Sequence, residues 1–183
     1  MSRKRYDRDE ALDAAMHVFW SRGYRGSSLR ELCEATRLNR KSLYAEFGDK
    51  ASLFREALTR YTAGGVARSR AALEVEPLGT DNIRRYFSAM RYGLECRGCL
   101  MTMTINERAL VPEACVDEVT AGLGEIEALL RMNLVADGRD PTEVDRLATF
   151  LVFSLQGITT MGKLEGDEAR LALSVRTVLS ALD

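Results

Sequence analysis

Residues 27 to 50, SSLRELCEATRLNRKSLYAEFGDK, constrain the fold of this chain more than any other stretch. Two short segments with apolar residues at helical spacing flank a tight turn. Leu29, Leu32 and Cys33 form the inward face of the first, and Cys33 reads as core. Leu43 and Phe47, four apart, point inward from the second. Ser28 with Glu31 three residues on is a capping-box pattern. Asn39 is a good N-cap for the second segment, and Ala35-Thr36-Arg37 make the turn. The pattern is that of a helix-turn-helix with one helix available to a major groove.

The remainder also reads as helix. The chain has three prolines and almost no β-branched alternation, so strands lack support and the expected fold class is all-α. Leu12, Ala15, Val18 and Phe19 stripe a first helix from Asp9 to Arg22, ended by Gly23. Asp49 caps a fourth helix facing inward through Leu53, Phe54, Ala57, Leu58 and Tyr61. Gly64-Gly65 weakens that helix by about 1 kcal/mol per glycine, and a break or hinge is expected there. Pro77 and Gly79 mark a loop, followed by a helix over Asn82–Glu95, the segment CRGCLMTMT and a helix to Leu110. Pro112 opens a long helix reaching Val135 or Ala136. Asp140-Pro141-Thr142-Glu143 opens another, to Met161, and a last helix spans Asp167–Leu182. The division expected is residues 1–50 as a three-helix DNA-binding domain, 50–63 as a connecting helix, and 64–183 as an effector-binding and dimerisation domain.

The formal net charge of −1 conceals an asymmetry. Residues 1–60 hold 13 Lys+Arg against 9 Asp+Glu, and residues 61–183 hold 13 against 18. A basic front end suits a polyanion, and the acidic remainder would be repelled by one. No signal-peptide pattern opens the sequence and no apolar run approaches the roughly 20 residues that span a bilayer. A cytoplasmic protein with no membrane partner is expected, its four cysteines resting as thiols.

The candidate DNA-reading residues cluster. Arg40, Lys41 and Tyr44 lie opposite Leu43 and Phe47. Arginine and lysine can donate to guanine O6 and N7, and tyrosine to a phosphate. Lys50 sits in the first turn of a helix, where its charge opposes the macrodipole, so a phosphate contact would explain it. Ser27 and Ser28 expose amides at a helix N-terminus, and Arg3, Lys4 and Arg5 could form a basic arm. The alternative is a solvated charged face, or a helical interaction module that meets an acidic protein.

From Asp9 to Tyr61 the chain resembles the DNA-binding domain of TetR-family transcriptional regulators. The resemblance rests on Phe19, Gly23-Tyr24, Ser27-Ser28, Leu43-Tyr44, Phe47 and Lys50. Arg37 departs from it, standing where glycine usually turns the chain; a left-handed backbone there would be strained, or the side chain could add a phosphate contact. The resemblance implies a homodimeric repressor on a palindromic operator in double-stranded DNA, released by an effector. With Arg37 and Asn39 it brings the DNA-facing set to Ser27, Ser28, Arg37, Asn39, Arg40, Lys41, Tyr44 and Lys50. It also implies an effector pocket among the middle helices, which here offer Phe87, Met90, Met103, Leu123, Phe150 and Ser154.

The helix from Pro141 carries two apolar stripes. Val144, Leu147, Leu151, Leu155 and Ile158 can pack on their own domain, whereas Phe150, Phe153, Gly157 and Met161 need a second partner. With Leu171, Leu173, Val175, Val178 and Leu179 of the last helix, a four-helix interface between two copies is expected, contributed by Phe153, Gly157, Met161, Val175 and Leu179. A wholly internal core helix is the alternative.

Gly98-Cys99-Leu100 and Gln156-Gly157 resemble a TetR branch containing copper- and electrophile-responsive repressors. Cys96 and Cys99 leave three readings open: buried hydrophobes, a thiol sensor, or Cu(I) ligands with Met101, Met103 or Cys115. Lys163 is the only lysine after Lys50; it is either a favourable helix C-terminal cation or a partner that approaches Cys99, as an electrophile-sensing relative in this branch is thought to pair them. The effector is expected to be a small molecule or electrophile, with no cofactor and no resident metal. An enzyme fits poorly, because His17 is the single histidine and neither a nucleophile elbow nor a phosphate-binding glycine loop occurs.

Overall fold

The computed structural model describes residues 6–89, 98–163 and 168–183. All regular structure among them is helical: α1 (Arg8–Gly26), α2 (Leu29–Thr36), α3 (Arg40–Phe47), α4 (Lys50–Leu73), α5 (Thr80–Ser88), α6 (Leu100–Asn106), α7 (Glu113–Ala136), α8 (Pro141–Gly162) and α9 (Glu168–Leu179), then a 3₁₀ turn at Ser180–Leu182. None of these helices is long and apolar enough to cross a membrane. The described residues fall into two compact units. One takes in those up to Ala63 with Leu100–Val119, the other Gly64–Cys99 with Thr120–Asp183. Leu100–Val119 thus folds with the N-terminal part of the sequence.

In the first unit each short helix is defined by its caps. Asp7 accepts the amides of Asp9 and Glu10 to start α1, and Gly23, at φ 75 and ψ 177, breaks it where the sequence predicts. The capping box of α2 is complete: Ser28 Oγ accepts from Glu31 N at 3.2 Å and the Glu31 carboxylate from Ser28 N at 2.9 Å. Asn39 accepts from Ser42 N at 2.9 Å, and Asp49 from Ser52 N at 2.7 Å. Helices of two turns do not hold themselves together in water; α2 and α3 are held by a core of Phe19, Leu32, Leu43, Phe47, Leu53, Phe54 and Leu58, all buried. Phe19 meets Phe54 edge-on at 4.9 Å.

Several expectations need correcting, among them the helix over Asn82–Glu95, since α5 ends at Ser88. Cys33 is only half-buried, because Thr36 and Leu38 complete the inward face instead. No break occurs at Gly64-Gly65: α4 runs unbroken from Lys50 to Leu73. Val66, Ser69 and Leu73 are buried on the following turns, and burying side chains such as Leu73 contributes about 1.5–3 kcal/mol each, which outweighs the glycine penalty. Finally, α6 ends at Asn106, not Leu110, as the chain turns through Leu110 N to Glu107 O.

In the second unit α8 starts as predicted, Asp140 accepting the amides of Thr142 and Glu143 with Pro141 next to it. Its stripe of Val144, Leu147, Leu151, Leu155 and Ile158 is buried. A polar clip joins the ends of two other helices. Buried Asn133, on α7, donates to Leu73 O at 2.8 Å and accepts from Gly79 N at 3.0 Å. One turn on, Asp137 accepts from Thr80 N at 2.9 Å. The last carbonyl of α4 and the first amides of α5, which helix geometry leaves unpaired, are thereby satisfied from α7.

Candidate nucleic-acid interface

Leu43 and Phe47 anchor α3 in the core, and the helical period then turns Arg40 and Lys41 to solvent. Tyr44 is half-buried, with the Arg40 guanidinium 5.6 Å from its ring centroid. A second device, not foreseen from sequence, fixes the rotation of α3. Glu46 accepts from the Tyr6 hydroxyl and from Arg8 Nε, the latter at 3.0 Å. Arg8 also pairs with Glu56 at 2.6 Å and lies 4.8 Å over the Phe47 ring. These partners stand about forty residues apart, so no local pattern could reveal them. Arg3, Lys4 and Arg5 lie outside the described residues.

The serine pair divides. Ser27 is fully buried and its hydroxyl donates to Gly23 O at 2.6 Å, a carbonyl at the break in α1. Ser28 is exposed, but its amide is already taken by Glu31. The expectation that both present open amides is therefore corrected, because the capping box closes on itself. Arg37 takes the left-handed backbone that the resemblance raised, φ 57 and ψ 24, with its side chain exposed. Asn39 spends its side-chain oxygen on the cap.

Lys50 is half-buried and rests 4.7 Å from the Tyr24 ring centroid. Burial holds its ammonium below the usual lysine range, and the charge of Glu107 opposes that shift. Tyr24 packs edge-on to Phe54 at 5.0 Å, and burial pushes its hydroxyl up. Glu107 was absent from the sequence-based set. It lies far along the chain, in a segment whose periodicity says nothing of DNA.

The expected sensor and interface residues scatter. Met90 and Cys96 lie outside the described residues. Cys99 is buried, and the Lys163 side chain lies against its neighbour: a Cβ on Gly98 would stand 3.3 Å from Lys163 Cδ. Phe87 is buried in the second unit, where Leu123 and Ser154 are half-buried; Met103, also half-buried, belongs to the first. Phe150 is corrected: at 42% exposure it lies on the outer face of α8, with Phe153 at 71% and Met161 at 43%. Gly157 shares that exposed face. Val175 and Leu179 are corrected too, being buried within their own unit, while Leu173 of α9 is exposed at 55%. Periodicity groups residues into stripes but does not say which stripe meets which neighbour. Among the described residues no group of three or more His, Cys, Asp or Glu could hold a metal ion.

Residues 11–57 match the profile of bacterial regulatory proteins, tetR family. The HTH-type transcriptional repressor ComR of Escherichia coli K12 is 43% identical over 88 residues, 48% of this chain but only 42% of ComR, so the match spans less than half of that protein. The uncharacterized HTH-type transcriptional regulator YezE of Bacillus subtilis 168 is 29% identical over 98% of both chains. A cysteine mutant of the TetR family transcriptional regulator CifR, solved in complex with 26-bp double-strand operator DNA, is 31% identical, covers all of both chains and superposes with a TM-score of 0.83. With likeness of sequence and fold along its whole length, the chain belongs to the TetR family of transcriptional regulators.

Proposed function

We propose that the chain is a cytoplasmic transcriptional repressor that binds a palindromic operator as a homodimer and leaves it on receiving a small-molecule or thiol-reactive signal. The observation that carries this reading is α3, which presents Arg40 and Lys41 to solvent from a helix locked by Leu43, Phe47 and Glu46. The operator-bound state of the similar CifR supports it. Arg40 and Lys41 read base edges, while Tyr44, Arg37 and Lys50 meet phosphates. The outer face of α8, with Phe150, Phe153, Gly157 and Met161, meets a second copy of the chain.

Selection of duplexes from a random pool, followed by salt-titrated binding, tests the reading. Affinity should depend on sequence and fall steeply with salt. Lys50→Ala should weaken all duplexes about equally, whereas Arg40→Ala or Lys41→Ala should relax preference at particular bases. Equal binding of selected and scrambled duplexes would overturn the proposal. For the signal, the reading takes Cys99 as the reactive group, and the Lys163 side chain beside the adjoining Gly98 is what favours it. Unchanged release of Cys99→Ser by hypochlorite or quinones would remove it.

A further inference from the structure

Glu107 stands in the turn after α6, 83 residues from the backbone it serves. Its carboxylate accepts the N–H of Tyr24 at 2.6 Å and that of Arg25 at 3.1 Å. Those amides lack helical partners because Gly23 breaks α1 immediately before them. Gly23 is fitted to the carboxylate: a Cβ there would stand 2.9 Å from Glu107 Oε2. The ring of the same Tyr24 is the shelf under Lys50. Ser27, which starts the approach to α2, is tied to the same corner through Gly23 O.

A carboxylate placed this close to a phosphate-facing lysine is at first sight a cost, since it repels a polyanion. If its charge were its only effect, deleting it would tighten binding to every DNA alike. Its hydrogen bonds argue otherwise, because a carboxylate bonded to two amides orders the backbone that carries them.

We infer that Glu107 is a positioning residue for DNA recognition: it fixes the corner between α1 and α2 and the Tyr24 shelf, and so sets where Lys50 stands relative to the base-reading face of α3. The inference rests on the DNA-binding reading above, and deepens it by placing a determinant of specificity outside the helix-turn-helix.

The test uses the full-length protein, a duplex selected by the wild type from a random pool, and a scrambled duplex of equal composition. Affinities for both are measured for wild type, Glu107→Ala and Glu107→Gln across a salt series. In Glu107→Ala the selected-to-scrambled affinity ratio should fall about tenfold, as expected from losing charge-assisted hydrogen bonds, with scrambled binding equal or tighter. Glu107→Gln, which keeps one acceptor and a fold-preserving shape, should fall between. A ratio unchanged in both variants overturns the inference, whether the two affinities rise together or only thermal stability drops. Failure of the wild type to select any duplex would overturn the DNA-binding reading itself.

Discussion

Replacing Asn133 with alanine should cost the protein about a third or more of a typical domain's stability, on the order of 3–5 kcal/mol. The side chain is wholly buried and makes four hydrogen bonds: to Leu73 O, Leu129 O, Gly79 N and the Asn82 side-chain amide. Two partners have other bonds when it goes. Leu129 O remains the helical acceptor within α7, and Asn82 still donates to Val75 O at 2.7 Å. The Leu73 carbonyl and the Gly79 amide, at the end of α4 and the start of α5, are left buried and unmet. Each orphan costs about 1–3 kcal/mol, and the vacated volume adds to it. Denaturant unfolding of wild type, Asn133→Ala and Asn133→Leu measures this directly. The leucine variant fills the volume but repairs neither orphan, so it should remain within about 1.5 kcal/mol of the alanine variant. A loss below about 1 kcal/mol in Asn133→Ala, at unchanged slope, would refute the reasoning.

Other outcomes follow from single features of the two units. Ser28→Ala should destabilise by about 1 kcal/mol through loss of the cap. The Ser28 hydroxyl and amide hold the Glu31 carboxyl below the usual range; the stability this contributes is present above the unfolded pKa and lost as pH falls through the lower folded one. Acid titrations of wild type and Ser28→Ala should therefore converge, and parallel curves would count against the capping box. Arg37→Gly relieves a left-handed backbone, raising stability by about 1 kcal/mol while weakening all duplexes if the side chain meets phosphate; unfolding and salt-titrated binding should move in opposite directions, and unchanged stability would refute the strain. Phe153→Glu on the exposed face of α8 should yield a folded monomer in sedimentation equilibrium, whereas an intact dimer would displace the interface from that face.

Much of the fold was legible because it is local. Caps and breaks at Ser28-Glu31, Asn39, Asp49, Asp140 and Gly23 depend on residues within four positions, and the structure has each as read. The buried and exposed stripes of α8 follow from the 100° turn per residue. The left-handed backbone at Arg37 was expected from the family resemblance, which puts glycine at that turn, and not from local spacing. Boundaries fared worse where a tertiary contact decided them: α6 stops short of its apolar pattern, and α4 ignores two glycines.

By itself, the order of residues determined that the chain is helical, where most helices begin, and which side chains of α3 face away from the core. These are consequences of a few dihedral preferences and one period, and they act over a single turn. Only the tertiary structure decided that Ser27 is buried, that Val175 and Leu179 are buried within the chain, and that Arg8 and Glu46 lock α3. It also decided that Asn133 closes two helix ends and that Glu107 bonds the backbone beside Gly23. Each of those joins groups dozens of residues apart. An unpaired amide or carbonyl at a helix end requires some partner, but its own sequence does not encode which distant side chain will arrive.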